Sequence, residues 1–181
     1  MRRYLRYRVE GGTYFFTLVT HERRPFLTTT IARRCLRASF LSVQRNRAFG
    51  IPAIVLLPDH LHCLLQLPRG DSDYSTRLRR IKSEFTKSWL AEGGDEGIRR
   101  ASLRKKNERA VWQRRFYEHT VRDDEDLNRC ADYIHWNPVK HRLVQRVRDY
   151  RWSSFHRFVT AGHYDIDWGA TNPAPGFELP E

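Results

Sequence analysis

The chain is short of cysteine and of long apolar runs, and each scarcity removes a class of protein. Cys35, Cys63 and Cys130 are the three thiols among 181 residues; they lie far apart and form no C-x-x-C. An odd number of unpaired thiols points to a reducing cytosol and away from a disulfide framework or a zinc knuckle. The longest apolar stretch, near Ile51 to Leu57, falls well below the roughly 20 residues that span a bilayer, so no membrane helix is expected. The amino-terminal MRRYLRYRVEGG is charged with no apolar core behind it, unlike a signal peptide. Internal repeats are absent as well.

What the chain has in excess is positive charge. Lys and Arg total 33 against 21 Asp and Glu, a net charge of +12, and 28 of the 33 are arginine. A GC-rich genome alone can raise arginine content, yet the guanidinium fork suits phosphate, and counterion release rewards a basic surface that meets a polyanion. Nucleic acid is therefore the expected partner. The length suits one domain, taken here as residues 1–168 with a tail over 169–181.

Hydrophobic patterning predicts an α+β architecture. Thr13 to Thr20 (TYFFTLVT), opened by Gly11-Gly12, is β-branched and aromatic, as a strand requires. Ala53 to Leu57 and His60 to Leu67 read as two further strands parted by Pro58-Asp59, paired antiparallel, and 115–121 as a fourth. Amphipathic helices are predicted over Ile31 to Arg47 and Tyr74 to Leu90, the latter through Leu78, Ile81, Phe85 and Trp89. The stretch 92–110 has glycine and charge but little apolar periodicity, and reads as a mobile loop or insertion. Asp123 to Asp126 (DDED) supplies an N-cap and acidic first turn for a helix expected to stop at Asn137-Pro138.

The most informative motif is His60-Leu61-His62. Side chains alternate on a strand, so the two imidazoles share a face opposite Leu61, Cys63, Leu65 and Leu67, about one pleat repeat apart, where both could reach one cation. With eight histidines in the chain, an H-x-H is weak evidence by itself. Tyr133 and Asn137 lie four apart on the last helix, which sets a phenol beside an amide at the edge of the stripe Leu127, Ala131 and Ile134. Local pattern leaves open a plainer explanation, a core-edge tyrosine and a helix-ending asparagine. Tyr117 is a rival nucleophile without a polar neighbour at i+4.

Three segments, LPDHLHCLLQLP, VWQRRFYEHTVRDDEDLNRCADYIHWNPVKHRLV and DYRWSSFHRFV, occur in this order. Together they resemble the REP-associated tyrosine transposases, the domesticated branch of the IS200/IS605-like single-tyrosine transposases. The resemblance runs from about Arg3 to Trp168, interrupted near 92–110. It implies a ferredoxin-like fold with a central antiparallel sheet, as in His-hydrophobic-His nucleases. It also implies a divalent metal, Mg²⁺ or Mn²⁺, on His60, His62 and Asn137, and Tyr133 as the nucleophile that forms a 5′-phosphotyrosine. Asn137 stands where relatives often carry Gln, one methylene longer. The implied substrates are single-stranded DNA hairpins, REP-like palindromes with a 5′ tetranucleotide, and the implied state is a monomer at the nucleoid.

For DNA contact the sequence offers Arg2, Arg3, Arg6 and Arg8, interleaved with Tyr4 and Tyr7, and the basic residues Arg77, Arg79, Arg80, Lys82 and Lys87 between 74 and 90. For a base to activate the phenol it offers nothing convincing: His135 should face elsewhere and His119 is a bare candidate. Two other activities fit the same residues. One is a noncatalytic nucleic-acid binder or repressor; the other is a metal-dependent hydrolase that uses water.

Overall fold

A computed structural model describes residues 8–170. Arg2, Arg3, Tyr4, Arg6 and Tyr7 lie outside the described residues. Four strands, β1 (Thr13–Val19), β2 (Ile54–Leu56), β3 (His60–Gln66) and β4 (Tyr117–Thr120), form one antiparallel sheet in the order β2-β3-β1-β4. Helix α1 (Thr30–Asn46) connects β1 to β2, and α2 (Tyr74–Ala91) follows β3. A short α3 (Ala101–Lys105) precedes β4; α4 (Asp124–Lys140) and α5 (Phe155–Thr160) complete the chain. The β-α-β-β-α-β succession with this strand order is the ferredoxin-like α+β arrangement.

Alternation along the strands divides the interior in two. Tyr14, Phe16 and Leu18 of β1, with Leu61, Cys63 and Leu65 of β3, point toward α1 and α2 in the larger core. Phe15 and Leu64 point the other way and pack with Val55, Cys130, Ala131, Tyr133 and Ile134 under α4. The register sets Thr17 opposite His62 and Val19 opposite His60, so the histidines lie on the α4 side, away from the larger core. Among the described residues no helix is long and apolar enough to cross a membrane.

Three elements differ from the sequence expectations. Helix α4 does not stop at Asn137-Pro138 but carries Pro138 inside its final turn and ends at Lys140. A proline so near the end removes only one hydrogen bond, and the closing bonds His141 N–H to Asn137 O and Leu143 N–H to Pro138 O, both 2.9 Å, form normally. The 92–110 stretch holds α3 and is docked: Trp89 Nε1 donates to Asp95 O at 2.9 Å, Leu103 and Ala110 are buried, and Arg24 pairs with Asp95.

Arg77 is the third, a correction to its reading as a DNA contact. It is 1% exposed, donates to Asp71 Oδ2 at 2.7 Å, to Ala48 O at 2.8 Å and to Asp73 O at 2.9 Å, and so ties the end of α1 to the start of α2. A guanidinium this buried, with four of its five N–H donors directed at these acceptors, is not placed to meet a phosphate. Replacing Arg77 with Met should cost about 3 kcal/mol, because buried carbonyls and a carboxylate lose their donor. Urea denaturation checks this; a loss below about 1 kcal/mol would contradict the structural role.

Candidate active site

His60 and His62 are 1% and 0% exposed, with ring centroids 4.8 Å apart. Each has its Nδ1 occupied: His60 Nδ1 lies 2.6 Å from Asp59 Oδ1 and His62 Nδ1 2.9 Å from Thr17 Oγ1. Rings that donate from Nδ1 keep the Nε2 lone pair, the tautomer a metal ligand needs. Burial disfavours the Asp59 carboxylate, yet hydrogen bonds and charge from His60 and Arg23 outweigh it and hold its pKa at about 2. Asp59 is thus an anion across the neutral range and a firm acceptor for His60.

Both Nε2 atoms are buried without a hydrogen-bond partner, as are Oδ1 and Nδ2 of Asn137, which is 0% exposed. Buried polar atoms normally find partners, since each orphan costs on the order of 1–3 kcal/mol. Two imidazoles and an amide left so on adjoining elements form a donor set that fits a divalent cation. Burial first, then the charges of His60, His141, Lys140 and Arg23, hold the His62 pKa well below the ordinary imidazole range, so this ring stays neutral and able to ligate.

Tyr133 stands against this pair. Its ring centroid is 5.3 Å from that of His62 and 5.8 Å from that of Phe15, both edge-on, and it is 3% exposed. The extension of α4 past Pro138 adds two groups. Lys140, two turns beyond Tyr133, donates from Nζ to the phenol oxygen at 3.2 Å, and the His141 ring lies 5.0 Å from His60. Neither was found from sequence because the helix was expected to end before them; their spacing of seven from Tyr133 and four from Asn137 is the signal that would have named them. Asp59 was likewise read only as part of a strand break.

Tyr117 is directly opposite Thr17 and packs edge-on to Phe15 at 6.3 Å, on the same sheet face but two strands from His62. His119 is engaged with Asp126, Nε2 to Oδ2 at 2.8 Å. Among the described residues His119, Asp126 and Cys130 also bring ligand atoms within 4.8 Å of one another. That group suits a cation poorly: Asp126 already has Arg122 Nε at 3.2 Å and Arg129 at 3.8 Å, and burial pushes the Cys130 thiol up to about 12.

His135 faces away from the site, as expected. Its Nε2 is 2.8 Å from Ser154 Oγ and its Nδ1 3.2 Å from Tyr164 Oη, which in turn donates to Asp132 at 2.6 Å. Burial, aided by the charge of Arg157, pushes His135 down to about 3. A histidine with a depressed native pKa stabilises the fold fully above about pH 6.5 and loses that contribution as pH falls, because the unfolded chain takes up a proton the native state refuses. Stability should fall below about pH 6.5, over a window that for His135 extends down to about pH 3, by up to about 1.4 kcal/mol per pH unit for that ring, and His62 is shifted in the same direction. Urea titrations across that range should show His135→Gln reducing the slope by about one proton. An unchanged slope would mean that the native ring is already protonated.

Comparison with known proteins identifies the family and the fold. The family described as Transposase IS200 like matches residues 8–137. A REP-associated tyrosine transposase of Escherichia coli (strain K12) is 42% identical over 168 residues, 93% of this chain and 91% of the relative. The chain belongs to the REP-associated tyrosine transposases. A solved structure of a REP-associated tyrosine transposase bound to a REP hairpin superposes with a TM-score of 0.77 at 39% identity, over 100% of both chains. Membership of this IS200-like transposase family makes the chain a transposase-like DNA-processing protein with the α+β fold described above.

Proposed function

We propose that this protein cleaves and rejoins single-stranded DNA at REP-type hairpins through a covalent bond to Tyr133. The observation that carries the proposal is the Tyr133 ring set 5.3 Å from His62, where the imidazole Nε2 atoms and the Asn137 amide are buried without partners. A divalent cation, Mg²⁺ or Mn²⁺, held by His60, His62 and Asn137 would polarise a phosphodiester oxygen. Imidazole ligands favour Mn²⁺ over Mg²⁺, and Mn²⁺ should bind the more tightly.

The chain's own groups do the rest. Tyr133 Oη attacks phosphorus; the P–O3′ bond breaks; the phenol gives up its proton and the departing 3′-oxygen gains one. The products are a 5′-phosphotyrosine and a 3′-hydroxyl, which later reverses the step on the same or another end, with no ATP. Lys140, 3.2 Å from Oη, stabilises the negative charge that builds there as the proton leaves, and fixes the oxygen's direction. Thr17 and Asp59 hold the two imidazoles in orientation. All of these groups lie on one chain, which favours action as a monomer.

Mixing the protein with a labelled hairpin oligonucleotide bearing a 5′ tetranucleotide, in Mn²⁺, should give a covalent adduct that survives denaturation and maps to Tyr133. Cleavage without an adduct would instead indicate attack by water, and binding without cleavage a noncatalytic DNA-binding role.

A further inference from the structure

The turn 20–24, between β1 and α1, holds Glu22 at φ 54° and Arg23 at φ 51°, two successive left-handed residues of which neither is glycine. An L side chain resists that region, and such a conformation persists where its neighbours over-determine it. Thr20 N–H and Thr20 Oγ1 both donate to Asp59 O at 2.9 Å, and Leu27 N–H donates to Pro58 O at 2.8 Å, which seals the turn onto the bend that leads into β3. The two strained residues then part. Glu22 meets Arg100 at 3.0 Å, whereas Arg23 Nη1 donates to Asp59 Oδ2 at 2.9 Å.

This places Arg23 at one end of the active site. Tyr133 abuts His62 and His141 abuts His60, so α4 runs along β3 toward its start, where His60, His141 and Asp59 gather. The two strand histidines are buried there, but the Arg23 side chain is 42% exposed, and its charge still bears on His62. A phosphate that approaches this end from solvent meets the guanidinium on its way to the imidazoles.

The pairing with Asp59 also leaves the guanidinium largely unused. Arginine carries five N–H donors and engages a carboxylate best through two parallel bonds. Asp59 does not offer both oxygens, because Oδ1 is taken by His60 Nδ1 at 2.6 Å. Among the described residues Arg23 directs one donor at Asp59, and the others are open to a ligand.

We propose that Arg23 grips a nonbridging oxygen of the phosphodiester that Tyr133 attacks. The proposal rests on the cleavage reading above and adds a group that touches the phosphate itself, while Lys140 serves the attacking oxygen. As the bond from Tyr133 Oη to phosphorus forms and the P–O3′ bond breaks, the guanidinium offsets the charge on the nonbridging oxygen. It stays protonated throughout and transfers no proton. Asp59 anchors the guanidinium in advance, so less of its freedom is lost when the phosphate arrives.

The test is single-turnover adduct formation by the full chain in Mn²⁺, on two hairpins whose cleaved linkage is either the phosphodiester or a methylphosphonate, which lacks the charged oxygen. On the phosphodiester, Arg23→Gln should slow the reaction roughly 10²- to 10³-fold and Arg23→Lys, which keeps the charge but loses the fork, roughly 10-fold. On the methylphosphonate, Arg23→Gln and wild type should agree within about threefold, because no charge is left to offset. Mn²⁺ affinity without DNA and the melting temperature should both hold, since the side chain is half-exposed and ligates nothing. A deficit of equal size on both linkages, or a loss of Mn²⁺ affinity that matches the loss of rate, would overturn the proposal and reduce Arg23 to a support for Asp59 and His60. An undiminished rate in Arg23→Gln would overturn it too while leaving Tyr133 as the nucleophile, whereas a wild type that forms no adduct would sink both readings together.

Discussion

Tyr133→Phe should abolish the covalent protein–DNA adduct, a loss on the order of 10⁴-fold or more in cleavage, while hairpin affinity changes by less than about threefold. The change removes one oxygen from a ring 3% exposed and keeps the edge-on contacts to His62 and Phe15, so the fold has little to lose. Denaturing gels of protein mixed with end-labelled hairpin in Mn²⁺ provide the measurement. An adduct that persists would transfer the role to another group, with Tyr117 as the first to examine, since it lies on the same sheet face. Lys140→Met should give a graded result in the same assay, slowing adduct formation roughly 10- to 100-fold, because it withdraws the donor at 3.2 Å but leaves the nucleophile in place.

The second large effect concerns the metal. Either His60→Ala or His62→Ala should lower Mn²⁺ affinity by at least about 100-fold, as each removes a buried nitrogen that has no other partner. Titration followed by the electron paramagnetic resonance of free Mn²⁺ reads this without DNA and without turnover. Asn137→Ala should cost less, since an amide oxygen is a weaker donor than imidazole, and Asp59→Asn about 10- to 100-fold through the loosened His60 ring. Should Mn²⁺ binding ignore these changes and respond to Asp126→Asn, the cation would belong to the cluster of His119, Asp126 and Cys130 instead.

Much of the architecture was legible because period-two alternation is a local signal. TYFFTLV and HLHCLLQ state which residues share a face, and the structure places Tyr14, Phe16, Leu61 and Cys63 on one side, Phe15 and the two histidines on the other. The N-cap at Asp123 was equally readable, since its side chain accepts from Asp126 N–H at 2.8 Å. Features set by distant partners were not. Arg77 looked like any cation on a basic helix until Asp71 and the carbonyl of Ala48 closed around it. The 92–110 stretch lacks periodicity because Leu103, Ala110 and the carbonyl over Trp89 anchor it singly.

Lys140 and His141 were hidden by a rule that holds on average. The residue before proline disfavours helix, but here Pro138 sits where only one bond is lost, and tertiary packing on β2 and β3 carries α4 onward. The histidine pair was visible in the string, whereas its meaning came from the register that opposes Thr17 to His62 and from the turn that puts Asp59 against His60.

Helix α4 is gripped from behind. Tyr164 reaches Asp132 and His135, its ring stacks on Trp168 at 4.5 Å, and Gly169 comes so close to Trp136 that a Cβ would lie 2.9 Å from the indole. A phenol that carried a severed strand would bear the thermal tugging of a long polymer, and on a helix seated only against the sheet that load would swing it off station. With this aromatic brace behind it, the helix is held on two sides, an arrangement that in the proposed reaction would keep a captured end beside the hydroxyl that must reseal it.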